Sequence, residues 1–293
     1  MSEIALISDS SCDLPSSFTN EYNIEIVPYY ISFNQVDYYK EGVDLSIPDF
    51  YKELRASKTF PKTSLPSVND YIERFTALVK QGKDIICVCL SAHFSGSYNA
   101  AVNAREIILE NYPDSKIAII DSLNATAGQG LLVQEIAYMI RDNVPYGKII
   151  EIATSLRDKA RIFFLVDTLD YLEHGGRIGK AAALLGTMLN VKPLIYLQDG
   201  LLFPNAKVRG TKRAISKVVE YTKEYVDDHI DNYHYAIAHA DNEEYAQILS
   251  ELLYQELGVH TTLEYSLIGT TIGVNTGPDT TGICVIEKYQ NFL

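Results

Sequence analysis

Tryptophan is absent from this 293-residue sequence, and methionine and cysteine are scarce, at 3 and 4 copies. Cys12, Cys87, Cys89 and Cys284 include no Cys-x-x-Cys pair, and Cys87-x-Cys89 lies inside an apolar run. That spacing speaks against a structural zinc site, so reduced thiols and a cytoplasmic location are expected. No apolar run reaches the roughly 18 residues of a membrane-spanning helix. Met1-Ser2-Glu3 lacks the basic and apolar stretches of a secretory leader, and none is expected. Basic residues are in deficit, 25 against 38 acidic ones, for a net charge of -13. This argues against non-specific nucleic-acid binding, which needs clustered Lys and Arg. The 6 histidines are scattered without metal-ligand spacing, and no metal is expected.

What is present is an ordinary globular composition, 47% hydrophobic and rich in tyrosine, with 21 copies. Short apolar runs alternate with helical patterns through the first half. Strands are expected at 4–8, 24–33, 84–90 and 116–120, with Pro28 marking an edge or bulge in the second. Helices are expected at 46–56, 67–81, 97–112, 125–141 and 146–159. This order predicts an open, mostly parallel α/β sheet. The second half reads differently. A strand at 161–166 is followed by a glycine-rich turn, Glu173 to Gly179, and a small-residue helix at 180–189. Runs at 191–197 and 201–206 flank Gln198-Asp199-Gly200, a hairpin signal. Helices at 211–229 and 242–257 alternate with strands at 233–240 and 261–267, and a strand at 282–287 closes the chain. The reading is two domains: 1–160, α/β, and 161–293, α+β with a mixed sheet.

Three hydroxyl-rich segments stand at element junctions: Thr63-Ser64-Leu65-Pro66-Ser67, Ser91 to Ser97, and Asn275-Thr276-Gly277-Pro278. The second follows a strand and enters a helix, at the carboxyl edge of an open sheet where ligands bind. Its free N–H groups and the helix dipole favour an anion. Ser95 and Ser97 serve equally well as plain helix caps, and the other two segments as plain turns. Gly175-Gly176-Arg177-Ile178-Gly179 has neither dinucleotide nor Walker spacing. It leaves Arg177 on a turn, suited to phosphate or an acidic partner, or simply a surface arginine. Asp9 and Asp121 end strands at one sheet edge, where one could polarise a hydroxyl or hold a metal; they read rather as turn caps that satisfy loop amides. His93 beside Ser95 raises a serine-type acyl hydrolase or transferase as an alternative, although no Gly-x-Ser-x-Gly surrounds either serine.

Five segments in order resemble the DegV family of fatty-acid-binding proteins. Ser8-Asp9-Ser10-Ser11-Cys12-Asp13-Leu14 resembles its opening signature, and Thr63 to Ser67 its Thr-Ser-x-Pro-Ser loop. Ser91 to Ala100 resembles its serine-rich turn, Glu173 to Lys180 its Gly-Gly-Arg-Ile-Gly-Lys turn, and Gly269 to Pro278 its closing element. The resemblance implies a two-domain DegV-like fold with a lipid tunnel. It implies a long-chain fatty acid as ligand, with no other cofactor, held at its carboxylate by Thr63 and Ser95. Ser64, Ser91, Gly96, Asn275 and Thr276 complete the implied head-group pocket. It further implies presentation of that carboxylate to a separate ATP-dependent fatty acid kinase subunit. The acyl-phosphate formed there feeds phospholipid synthesis, with Arg177 at the kinase or phosphate contact and transient membrane contact. Three positions depart from the family: Asn275 replaces its histidine, Asp279 its glycine, and Ala92 the second of its paired serines. A lipid-sensing protein without phosphorylation is the remaining alternative.

Overall fold

The computed structural model describes residues 3–57, 59–186, 190–263 and 265–293. The first half alternates strands and helices as the periodicity predicts. It runs β1 (Ile4–Asp9), α1 (Ser16–Glu21), β2 (Glu25–Val27), β3 (Tyr30–Ser32), β4 (Tyr39–Lys40), α2 (Ile47–Ala56) and β5 (Lys62–Ser64). Then come α3 (Val68–Val79), β6 (Asp84–Cys89), α4 (Ser97–Asn111), β7 (Ile117–Asp121), α5 (Thr126–Arg141) and α6 (Tyr146–Arg157). Capping residues fix several starts. Ser46 accepts from the Asp49 amide at the head of α2, and Ser67 and Asp70 form a reciprocal capping box on α3.

The second half comprises β8 (Arg161–Leu165), α7 (Asp170–His174), β9 (Val191–Gln198), β10 (Leu201–Arg209), α8 (Thr211–Val226), β11 (Tyr233–His239), α9 (Glu243–Leu257), β12 (Ser266–Leu267), α10 (Thr270–Thr276) and β13 (Thr281–Glu287).

Strands β2-β1-β6-β7 form a parallel sheet, and β10-β9-β8-β13-β11-β12 a mixed one. A small antiparallel sheet, β4-β3-β5, completes the set. Side chains alternate between faces with the period of two that strands impose. In β6 and just beyond it, Ile86, Val88 and Leu90 pack into the large central core. Ile85, Cys87 and Cys89 pack on the opposite face with α3 and α4. In β8, Ile162 and Phe164 face the central core, while Phe163 and Leu165 face α8 and α9. The layers are therefore helix, parallel sheet, helix, mixed sheet, helix. The middle layer, α5, is buried almost all round, as a doubly covered helix must be. Its glycines make room on both sides. A Cβ at Gly128 would sit 2.8 Å from the Ile162 side chain, and one at Gly130 would sit 2.6 Å from the Cys12 carbonyl.

Five expectations need correction. Residues 24–33 are not one strand: Pro28 has no amide to give a ladder, and the chain leaves the parallel sheet there. It re-forms as β3 in the small sheet. Thr63 is not in an irregular loop but in β5, paired with Ile31. Only Ser266–Leu267 of the 261–267 run joins a ladder, and residue 264 lies outside the described residues. The stretch 273–278 is not a free turn: Gly273 to Thr276 end α10, and Gly277 terminates it. For the helix expected at 180–189, a 3-10 segment covers Gly179–Leu184, and residues 187–189 lie outside the described residues.

Candidate functional site

Parallel pairing brings the ends of β1, β2, β6 and β7 to one edge, the ligand-binding edge of such sheets. A cavity of about 260 Å³ opens there, reaching into the mixed sheet. Its depth is apolar, walled by Ile162, Phe164, Leu172, Leu197, Leu202, Ala238 and Ile268. Its polar end gathers Thr63, Ser64, Ser95, Gly96, Arg177, Asn275 and Thr276, residues far apart in sequence. Ser64, Leu65 and Arg177 are exposed, so this polar end is the mouth.

Ser95 sits in the turn between β6 and α4. Its Oγ accepts from the Tyr29 hydroxyl at 2.8 Å and from the Ser97 amide at 3.2 Å. The N-cap of α4 is Gly96, without a side-chain cap; Ser95, one residue earlier, takes up the first helical amide and still keeps its own proton to donate. Thr63 is half-buried beside it, and its hydroxyl has no hydrogen-bond partner among the described residues. Leu65 ties the two segments together, lying 3.2 Å from where a Cβ on Gly96 would be. Asn275 donates its amide to the Thr271 carbonyl at 3.1 Å, and its Oδ1 lies against Gly175. The Thr276 hydroxyl turns back to the Ile272 carbonyl at 3.2 Å. Arg177 crosses the mouth: Nε donates to the Phe94 carbonyl at 3.1 Å and Nη1 to the Gly175 carbonyl at 2.5 Å. It is the one charged side chain lining the cavity among the described residues.

Ser91 does not line the cavity. It is fully buried, its hydroxyl donating to the Gly200 carbonyl at 3.3 Å and accepting from the His93 amide at 3.3 Å. His93 is exposed with its ring against Gly200, and among the described residues no hydrogen bond joins it to Ser95. The Ser–His pairing of a hydrolase therefore does not form here. Asp121 accepts from the amides of Ala92 and Leu123 and caps its turn, at 3.2 and 3.0 Å. Among the described residues no group of His, Cys, Asp and Glu could hold a metal ion. None of their helices is long and apolar enough to cross a membrane.

Sequence reasoning missed Tyr29, Thr126, Thr271 and Thr280, which all line the cavity. Tyr29 carried a readable signal, because Pro28 ends a strand at the ligand edge and places the next side chain there. Burial and the Asp9 charge push the Tyr29 phenol well above its ordinary pKa, so it remains a donor. Asp9 is itself buried, which raises its pKa, while hydrogen bonds from Ser11, the Leu90 amide, Gln129 and Ser97 oppose that rise.

Known proteins share this architecture along its whole length. A stearic-acid-binding protein of Eubacterium ventriosum superposes with a TM-score of 0.94 at 37% identity, covering 99% of this chain and 100% of the other. A DegV family protein of Thermus thermophilus, described by its fatty acid binding, gives a TM-score of 0.88 at 25% identity over 97% and 99%. A DegV domain-containing protein of Caldanaerobacter subterraneus is 34% identical over 98% of this chain and 100% of its own length. Residues 3–288 match the family model described as uncharacterised protein, DegV family, and the chain belongs to that family.

Proposed function

We propose that this protein binds a long-chain fatty acid, with the tail in the apolar cavity and the carboxylate at Thr63 and Ser95. The observation that carries the reading is the cavity's polarity: an apolar interior ending at two hydroxyls free to donate. Each buried methylene contributes about 0.8 kcal/mol, so a tail of a dozen or more outweighs the head-group hydrogen bonds, at about 1.5–3 kcal/mol each. The tail sets affinity and the hydroxyls set orientation. Ser64, Gly96, Asn275 and Thr276 complete the head-group end. The two domains are 1–160 and 161–293, with the lipid site between them.

A second step follows from the placement of the carboxylate at the mouth. Neutral hydroxyls leave it nucleophilic, suited to attack on a γ-phosphate supplied by a separate ATP-dependent kinase subunit. In that reading Arg177, already at the mouth, meets the partner or the transferred phosphate. Transient contact with a membrane surface would accompany loading.

Mass spectrometry of organic extracts from the natively purified protein tests the binding step. Absence of fatty acid, together with no rise in melting temperature on adding palmitate, would sink it. Incubation with a fatty acid kinase subunit and ATP tests presentation. Retained fatty acid without acyl-phosphate would leave a lipid-sensing protein.

A further inference from the structure

We infer that Tyr29 is a positioning residue for the carboxylate, its phenol holding the Ser95 hydroxyl so that the serine proton faces the cavity. The inference rests on the fatty-acid reading of the cavity and adds the device that makes Ser95 a donor.

A serine hydroxyl has one proton and two acceptor lone pairs. Both acceptor positions of Ser95 are engaged, by the Tyr29 hydroxyl at 2.8 Å and the Ser97 amide at 3.2 Å. Only the proton is left for a ligand. A hydroxyl so fixed serves an ionised carboxylate, which accepts and cannot donate. It is less suited to a neutral alcohol head, which loses the charge-assisted part of the bond.

The polarity of this arrangement has a root. The Ser97 hydroxyl donates to Asp9 Oδ2 at 2.8 Å, so Tyr71 must be the donor in its 2.6 Å contact with Ser97. Asp9 also accepts from Ser11, Gln129 and the Leu90 amide, at 2.6, 2.9 and 2.9 Å. Four donors thus converge on Asp9, and its charge opposes ionisation of the Tyr29 phenol, which keeps its proton for Ser95. The Tyr29 backbone is held as well. Its amide donates to Ser10 Oγ at 3.0 Å, and its carbonyl accepts from the Glu41 amide at 2.9 Å. The ring is buried, with 2% exposure, so removing its oxygen leaves packing intact.

Displacement titrations with palmitate and hexadecanol, two ligands of one chain length, read the effect. In Tyr29→Phe, palmitate affinity is expected to fall about tenfold while hexadecanol stays within about twofold, the loss of one charge-assisted bond. Ser95→Ala should give the same loss, and the double variant no further one. Tyr29 replaced by 3-fluorotyrosine, which keeps ring and hydroxyl, should retain the parent's discrimination. Equal weakening of both ligands in Tyr29→Phe, full additivity with Ser95→Ala, or lost discrimination with fluorotyrosine would each overturn the inference. A parent protein that binds neither ligand would instead overturn the fatty-acid reading, and this inference with it.

Discussion

Arg55 grips Asp279 with two hydrogen bonds, Nη1 to Oδ2 at 3.0 Å and Nη2 to Oδ1 at 3.1 Å, and so turns its charge away from the cavity. Asn242 adds a third bond to the same carboxylate at 2.8 Å, and Arg55 also reaches Asp241 at 2.8 Å. Burial works to raise the Asp279 pKa, but these partners outweigh it and hold it below the ordinary value. From sequence, an acid next to the head-group segment looks hostile to a bound carboxylate. The fold removes that conflict by pairing it with an arginine 224 residues away.

Asp279 also takes φ of +63°, where glycine is unstrained. In Asp279→Gly, relief of about 1 kcal/mol of left-handed strain offsets loss of a partly exposed ion pair worth at most about 1 kcal/mol. Urea unfolding should therefore show net stability within about 1 kcal/mol of the parent, with palmitate affinity unchanged. Asp279→Ala keeps the strain without the pair and should lose about 1–2 kcal/mol. A drop in palmitate affinity in the glycine variant would mean that the carboxylate acts on the site after all.

These cases show which parts of the molecule were legible in advance. The apolar run at 84–90 and the caps at Ser46 and Ser67 are local signals, and β6, α2 and α3 stand where they point. The assembly of Thr63, Ser95, Arg177 and Asn275 at one mouth was legible only through the resemblance, because no local pattern states which turns meet. Arg55 with Asp279, and Tyr29 with Ser95, were not legible at all. Each pair joins segments separated by many residues, and nothing at either position marks its partner. Ser91 misled because burial, which decides whether a hydroxyl faces ligand or backbone, is not written in a serine-rich turn.

Thr63→Val tests the second half of the carboxylate clamp. Valine keeps the volume and the β-branch that suits β5, while removing the hydroxyl. Palmitate affinity should fall about ten- to hundredfold, the value of one hydrogen bond to a charged group, with the melting temperature of the unliganded protein little changed. An unchanged affinity would place the carboxylate elsewhere in the cavity.

Next to the cavity residues Leu172 and Arg177, an aromatic cluster packs around Tyr171. The Phe60 ring stacks on His174 with centroids 3.7 Å apart and meets Tyr171 edge-on at 5.1 Å. Gly277, at φ +73°, lets Tyr171 lie close: a Cβ there would be 2.3 Å from the ring. Gly277→Ala should cost about 2–5 kcal/mol from backbone strain and overpacking combined. Because Tyr171 must move and Phe60 with it, bound fatty acid should also exchange faster in stopped-flow displacement. A stable variant with parental exchange would show that these rings do not guard the mouth.

A buried acid on α5 and a half-buried histidine on β11 lie face to face and give an opposed pH signature. Glu135 Oε1 lies 3.3 Å from His234 Nε2, and Glu135 Oε2 accepts from the Tyr289 amide at 2.7 Å. Burial pushes the Glu135 carboxyl up to about 7, despite the Tyr289 hydrogen bond and the Lys288 charge. Burial, with the Lys288 charge, pulls His234 down to about 4. Both groups are therefore neutral between those values. The stability owed to Glu135 is full below its unfolded pKa of 4.5 and is lost as pH rises through about 7. That owed to His234 is full above its unfolded 6.5 and is lost as pH falls through about 4. The slopes cancel between about pH 4.5 and 6.5, so the parent should be nearly flat there. Glu135→Gln should leave only the histidine term, with stability falling from pH 6.5 to 4 by up to about 3 kcal/mol. His234→Asn should leave only the acid term, with stability rising as pH drops from 7 to 4.5. Urea midpoints measured across this range decide the matter, and parallel pH profiles for the two variants would refute the opposed shifts.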